Sequence, residues 1–171
     1  HSTYRPVAVY ASDVNGDGIT ELPRAVLMAG YKDTSSSDAV YMLDWYAYGI
    51  GKVPTKVATT YQNISDAWSL LIDQKWHDRI TAIKVSDGGL SYVEFFEYRK
   101  KKMAIPRFNI YCATGSNREY YAERTDLIQL GQTTQAIYFA KLTNEGEQSE
   151  LALTGDEIKA RFSLVNQAWN N

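Results

Sequence analysis

The stretch SDVNGDGITEL, residues 12–22, gathers Asp13, Asn15, Asp17 and Glu21 around Gly16 and Gly18. Counted from Asp13 as position 1, oxygen-bearing side chains fall at positions 1, 3, 5 and 9, with glycine at 6. When such a segment curls, the side chains at 1, 3 and 5 point inward. Glycine at 6 permits the sharp turn that presents the backbone carbonyl of Ile19, at position 7, and the carboxylate at 9 closes the cage. Calcium takes six to eight hard oxygen ligands, which this set suits. Three carboxylates so close repel one another unless a divalent cation neutralises them. The expected metal site is therefore Asp13, Asn15, Asp17, Glu21 and the Ile19 carbonyl, with calcium as the ion. The same residues also suit an empty Asx/Gly turn kept for its geometry.

Two familiar loop types do not fit. An EF-hand needs Glu at position 12, where this chain has Arg24, and an apolar residue at 8, where it has Thr20. A dockerin module needs a second copy of the loop. Pro23 also opposes a helix leaving the loop, because the residue before proline avoids the α region. DVNGDGITEL instead resembles the calcium loop of FG-GAP or VCBS-type repeats, in which one strand enters and another leaves. The resemblance implies ligation by Asp13, Asn15, Asp17, Glu21 and the Ile19 carbonyl. The motif occurs once, so no complete propeller is expected. A wider likeness rests on the acidic loop ending in ELP, the strand LDWYAY and the closing LTGDEIKARFSLV. These are similar to C-terminal modules of uncharacterised secreted proteins or lipoproteins of Gram-positive bacteria. That likeness implies an extracellular or envelope-attached location and carries no activity. Extracellular modules commonly bind calcium at about 10⁻⁴–10⁻³ M, which works outside cells and fails in the cytosol.

Other reactive residues are sparse. Apart from His1, His77 is the only histidine, and Cys112 is the only cysteine, so no intrachain disulfide forms. Cys112 has apolar or aromatic neighbours in RFNIYCAT and reads as a buried thiol. Too few His and Cys exist for a zinc site. Glu94 and Glu97 stand three apart on a predicted strand and so face opposite ways, a poor arrangement for paired acid catalysis. Trp45, Trp68, Trp76 and Trp169 are expected in the core or the sheet, with Trp76, placed in the turn DQKWHDR, the best exposed candidate for stacking on a ligand. The expected function is a non-enzymatic exported module carrying a structural calcium loop. The alternatives are a module binding cell-wall or host glycans through exposed aromatics, and an enzyme whose site the sequence does not reveal.

Positioning these residues requires a β-rich body. The chain has 171 residues, a net charge of −2 and 13 tyrosines, which favour pleated, half-buried surfaces. There is no strong basic field for nucleic acid. The run Arg99–Lys102 reads as a solvated hairpin loop. No apolar run approaches the ~18 residues of a membrane span. The chain opens without Met or a signal peptide, and is read as one domain over 1–171, either a mature secreted protein or the C-terminal part of a longer exported one. Strands are expected entering and leaving the acidic loop, over 40–49, 56–63, 67–72, 80–85, 90–98, 105–113 and 135–142. SDGG forms one hairpin turn, and 32–39 a polar loop. A turn or two of helix is expected over 116–124. Thr154 and Glu157 form a capping box that starts a C-terminal helix carrying Ile158, Phe162 and Val165 along one stripe. The predicted class is α+β, mainly antiparallel with about eight strands and a C-terminal helix packed on the sheet.

Overall fold

Alternating apolar residues and short Gly-containing turns make this chain fold back on itself as hairpins. The computed structural model describes residues 6–31, 39–99, 102–143, 149 and 151–165. Among these lie ten strands: β1 (Leu22–Leu27), β2 (Tyr41–Ala47), β3 (Thr55–Asn63), β4 (Trp68–Leu71), β5 (Ile80–Asp87), β6 (Leu90–Arg99), β7 (Lys102–Thr114), β8 (Ile128–Gln132), β9 (Ala136–Leu142) and β10 (Phe162–Leu164). Two short helices, α1 (Ser116–Ala122) and α2 (Gly155–Arg161), accompany them. The strands form two antiparallel sheets, ordered β1-β2-β3-β4-β10 and β5-β6-β7-β9-β8. The described residues are thus β-rich, with ten strands rather than about eight. No helix among them is long and apolar enough to cross a membrane.

Both sheets contribute to one core. Met42, Tyr61, Trp68 and Leu70 come from the first sheet; Val93, Phe95, Phe108, Ile110 and Tyr138 come from the second. Phe95 stacks on Phe108 with centroids 4.8 Å apart, and Tyr61 meets Phe95 edge-on at 5.3 Å. Ile158 of α2 is buried in the same core. On the other face of the second sheet, Phe139 is sandwiched between Tyr111 and Tyr121, each at 4.8 Å. Tyr121 belongs to α1, so that short helix covers what would otherwise be an exposed apolar face.

The expected hairpins form. Asp87 pairs with Leu90 across Gly88 and Gly89, and Gly88 has φ +48°. Arg99 pairs with Lys102 at the end of β6 and β7. Lys100 and Lys101, and most of the expected polar loop (32–38), lie outside the described residues.

Three elements depart from expectation. The chain entering the acidic loop is not a strand: it makes one bridge, Ser12 with Glu21. The Val9 N–H turns back to the Val7 carbonyl at 3.1 Å, which bends residues 7–9 away from ladder geometry. The C-terminal helix starts as expected, with both capping-box bonds present, but ends at Arg161. Phe162 becomes extended, at φ −83° and ψ 138°, and pairs with Leu70 of β4. Its ring lies 5.9 Å from Trp68. Another turn of helix would leave the edge of β4 without partners, and pairing satisfies its backbone groups instead. β8, unforeseen in the sequence, takes its place through pairing with β9.

The inward face of β6 also carries a charge. Glu97, on the face of Val93 and Phe95, is 1% exposed. Its Oε1 accepts from Arg79 at 2.9 Å and Arg99 at 3.2 Å. Its Oε2 accepts from Ser149 at 2.7 Å and from Arg107 Nε at 3.1 Å, with Arg107 Nη2 closer still. Burial pushes this carboxyl up, but hydrogen bonds from Arg99, Ser149, Arg107 and Arg79 outweigh it and hold the group well below the usual range. A carboxyl held low when folded adds stability above its unfolded value, about pH 4.3, and loses it as pH falls towards the folded value. Glu97→Gln is expected to cost about 3–5 kcal/mol at pH 7, by removing the buried carboxylate to which Arg79, Arg99 and Arg107 donate. In urea denaturation at stepped pH, the gap from the parent protein should narrow below about pH 4.

Candidate metal centre

The acidic loop is closed at its neck by the Ser12–Glu21 bridge. Ser12 N–H donates to the Glu21 carbonyl at 3.1 Å, and Glu21 N–H donates to the Ser12 carbonyl at 2.9 Å. This pairing brings Asp13, the first loop residue, beside Glu21, the last. Between them Asp13 organises the backbone. Its Oδ1 accepts from Gly16 N–H at 2.7 Å and Asp17 N–H at 3.1 Å, and its Oδ2 accepts from Gly18 N–H at 2.8 Å. Asn15 accepts from Asp17 N–H at 3.1 Å and donates its amide to Asp17 Oδ2 at 2.9 Å. Asp17 Oδ1 accepts from Ile19 N–H at 2.8 Å. Gly16 at φ +76° and Gly18 at φ +83° occupy the left-handed region, where glycine carries no Cβ penalty.

Asp13, Asp17 and Glu21 each offer a carboxylate oxygen, and these oxygens lie within 4.8 Å of one another. Two oxygens held at 2.3–2.6 Å from one calcium can be no more than about 5 Å apart, so the spacing fits that ion. Asp13 and Asp17 are exposed, whereas Glu21 is fully buried. Glu21 Oε2 accepts from Val14 N–H at 2.9 Å. Glu21 Oε1 is buried without a hydrogen-bond partner, the one carboxylate oxygen so placed among the described residues. An unpaired buried polar group costs on the order of 1–3 kcal/mol, more when charged. The donor set is all oxygen, with no His or Cys in the group, which suits a hard cation. The structure therefore brings together Asp13, Asn15, Asp17 and Glu21. Ile19 sits in the same loop, 51% exposed, and its hydrocarbon side chain has no ligand atom, so any it offers is its backbone carbonyl.

The loop also walls a cleft of about 930 Å³. Val9, Tyr10 and Asp13 line it together with Thr60, Gln62 and Ser69 of the first sheet. Trp45 lines it too, only 1% exposed, with its indole N–H donated to Thr60 Oγ1 at 2.8 Å.

The other candidates fall elsewhere. Trp76 is 1% exposed and packs in the core, which corrects its reading as an exposed ligand-stacking residue. The turn carrying it, Gln74–Trp76, tucks inward because burying an indole removes more apolar surface from water than any other side chain there could. The Arg161 guanidinium covers its ring at 4.7 Å. Trp45 and Trp68 are buried as well, and Trp169 lies outside the described residues. Cys112 is buried, and desolvation pushes its thiol up to about 11, so at neutral pH it is not a thiolate. His77 faces Asp44 instead, with Nε2 at 3.2 and 3.3 Å from the two carboxylate oxygens. Asp44 also accepts from Thr59 Oγ1 at 2.6 Å. That contact between a turn and a strand had no sequence signal, because its partners lie far apart in the chain. Compared as a sequence and as a fold, the chain matches no family model, no curated protein and no solved structure.

A Cβ at Gly16 or Gly18 would meet no atom within 4 Å, so any penalty there is backbone strain alone. Gly16→Ala and Gly18→Ala are each expected to cost about 1–2 kcal/mol in chelator, by urea denaturation. The Asn substitutions should cost less, since Asn tolerates the left-handed region.

Proposed function

We propose that this chain is an exported module in which the Asp13–Glu21 loop binds one calcium ion in a structural role. The buried, partnerless Oε1 of Glu21, in a group of three converging carboxylates, carries the reading. An empty Asx turn accounts for the hydrogen bonds around Asp13, but it gives no reason to bury a charged oxygen with nothing opposite it. A divalent ion supplies the missing partner and cancels the repulsion among the carboxylates. Calcium suits an irregular all-oxygen loop better than magnesium, which demands near-octahedral geometry. The ion would fasten the segment entering the loop to the start of β1, which is itself paired with β2. A weak site of this type is useful only where calcium is millimolar, which supports an extracellular or envelope-attached location. The likeness to modules of Gram-positive bacteria points the same way. A second reading, a glycan-binding module, is favoured by the cleft beside Asp13, with its neutral Thr60, Gln62 and Ser69 and the exposed ring of Tyr10.

With a dissociation constant of about 10⁻⁴–10⁻³ M, ~10 mM calcium should stabilise the fold by roughly 1.4–2.7 kcal/mol. For a chain of this size that is a rise in Tm of roughly 3–11 °C over chelator. Asp13→Ala/Asp17→Ala should abolish the rise. Glu21→Gln should raise Tm in chelator, by removing a buried unpaired charge, and lose the calcium response. A parent protein whose melt ignores millimolar calcium would sink the proposal.

A further inference from the structure

We propose that the cleft beside the acidic loop is a binding site for a neutral saccharide, and that calcium in the loop raises its affinity. The inference deepens the glycan reading of this cleft and rests also on the calcium reading of the loop. The cleft volume of about 930 Å³ falls within the roughly 300–1,000 Å³ of small-ligand sites. The strands supply uncharged hydrogen-bonding groups. Gln62 of β3 stands opposite Ser69 of β4, and Ser69 opposite Ser163 of β10, so the three side chains form one row across one face of the first sheet. All three line the cleft, and none of them is buried. Apolar groups lie beside them: Leu71, Leu164 and the ring of Tyr10, all exposed, the last at 67%.

Charge and hydrogen bonding select the class of ligand. Asp13 and Arg161 are the charged side chains that line the cleft. Asp13 holds the N–H groups of Gly16, Asp17 and Gly18. The Arg161 guanidinium lies over the Trp76 ring at 4.7 Å, with Nη2 3.7 Å from Asp73 Oδ2. An anionic ligand would meet the net negative charge of the loop, which one divalent ion does not cancel. A cationic ligand would draw on the carboxylates that the ion needs. A neutral ligand does neither. Serine hydroxyls and a glutamine amide both donate and accept, as sugar hydroxyls do. The exposed ring and the two leucines suit the C–H face of a sugar ring. An extended peptide would instead need an open strand edge, and β3 and β4 are paired on both edges.

The same stretch of chain lines the cleft and enters the loop. Residues 8–14 line the cleft without a break. Five of these seven residues are exposed and none is buried, so little apolar contact fixes the stretch. Segments of that kind sit at the low-stability end of a fold. Glu21 holds the stretch at two points: its backbone pairs with Ser12, and its Oε2 accepts from Val14 N–H at 2.9 Å. Asp13, within the stretch, and Glu21 both offer carboxylate oxygens to the ion. Calcium bound there fixes residues 8–14, and the saccharide meets a cleft already ordered. By linkage, the saccharide strengthens calcium binding by the same factor.

The test is isothermal titration calorimetry of the full chain with cellotetraose, laminaritetraose and tetra-N-acetylchitotetraose, each in millimolar calcium and in EDTA. Melts of the same samples without saccharide read the ion separately. At least one saccharide is expected to bind, roughly fivefold or more tightly in calcium than in EDTA. Tyr10→Ala and Gln62→Ala should each weaken it roughly two- to tenfold. Gln62 lies off the loop, so its variant should keep the calcium-dependent melt. Tyr48→Ala, which removes a ring 56% exposed outside the cleft, should change neither readout. A melt that responds to calcium with no binding of any of the three at millimolar saccharide would overturn this inference and the glycan reading, and leave the calcium loop standing. Binding of equal strength in EDTA would overturn the calcium coupling and leave the glycan reading. Binding untouched by both cleft variants would put the saccharide elsewhere and overturn the assignment. A melt indifferent to calcium would overturn the calcium reading and this inference with it.

Discussion

The contact on which the molecule depends is the aromatic junction between its two sheets. Phe95 and Phe108 stack on the second sheet, and Tyr61 and Trp68 of the first meet Phe95 at centroid distances of 5.3 and 6.5 Å. A two-stranded hairpin is marginal in water, and a single sheet with one apolar face must cover it. This junction covers both sheets at once. Phe162 then adds to it through Trp68 and Tyr138, which recruits the chain's last described strand to the first sheet. The acidic loop is held at the edge of a sheet that the junction makes rigid.

The fold treats the two buried glutamates among the described residues in opposite ways. Glu97 has every oxygen engaged, by three arginines and Ser149 drawn from the turn before β5, from β6, from β7 and from the segment before α2. Such a group is complete and ties distant segments together. Glu21 has one oxygen on Val14 N–H and the other on nothing. The difference is chemical rather than one of degree. A satisfied buried carboxylate explains itself, whereas a half-satisfied one beside two further carboxylates is the observation on which the calcium proposal stands. The single-residue bridge at the neck of the loop is weak pairing for the segment it joins, and the proposed ion would reinforce it.

The loop was legible because its bonds are local. Asp13 caps N–H groups three to five residues ahead, and the positive φ of Gly16 and Gly18 follows from residue type. The same holds for the hairpin at Gly88–Gly89 and for the Thr154–Glu157 capping box. Trp76 was misread because a turn is exposed on average, while the depth of one indole depends on which side of the turn meets the core. The helix was extended too far because Ile158, Phe162 and Val165 satisfy a helical period, yet Phe162 has a strand partner in Leu70. Periodicity describes one element at a time and cannot register an unpaired edge elsewhere.

By itself the sequence determined the tight turns of the acidic loop, the antiparallel β character, the hairpin turns and the start of the last helix, since each depends on residues within a few positions of one another. Tertiary structure alone decided that ten strands divide into two sheets, that α2 stops at Arg161, that Trp76 faces inward, and that Glu21 is buried with an oxygen left over. Those outcomes turn on pairing and desolvation between segments far apart in the chain, which local spacing does not encode.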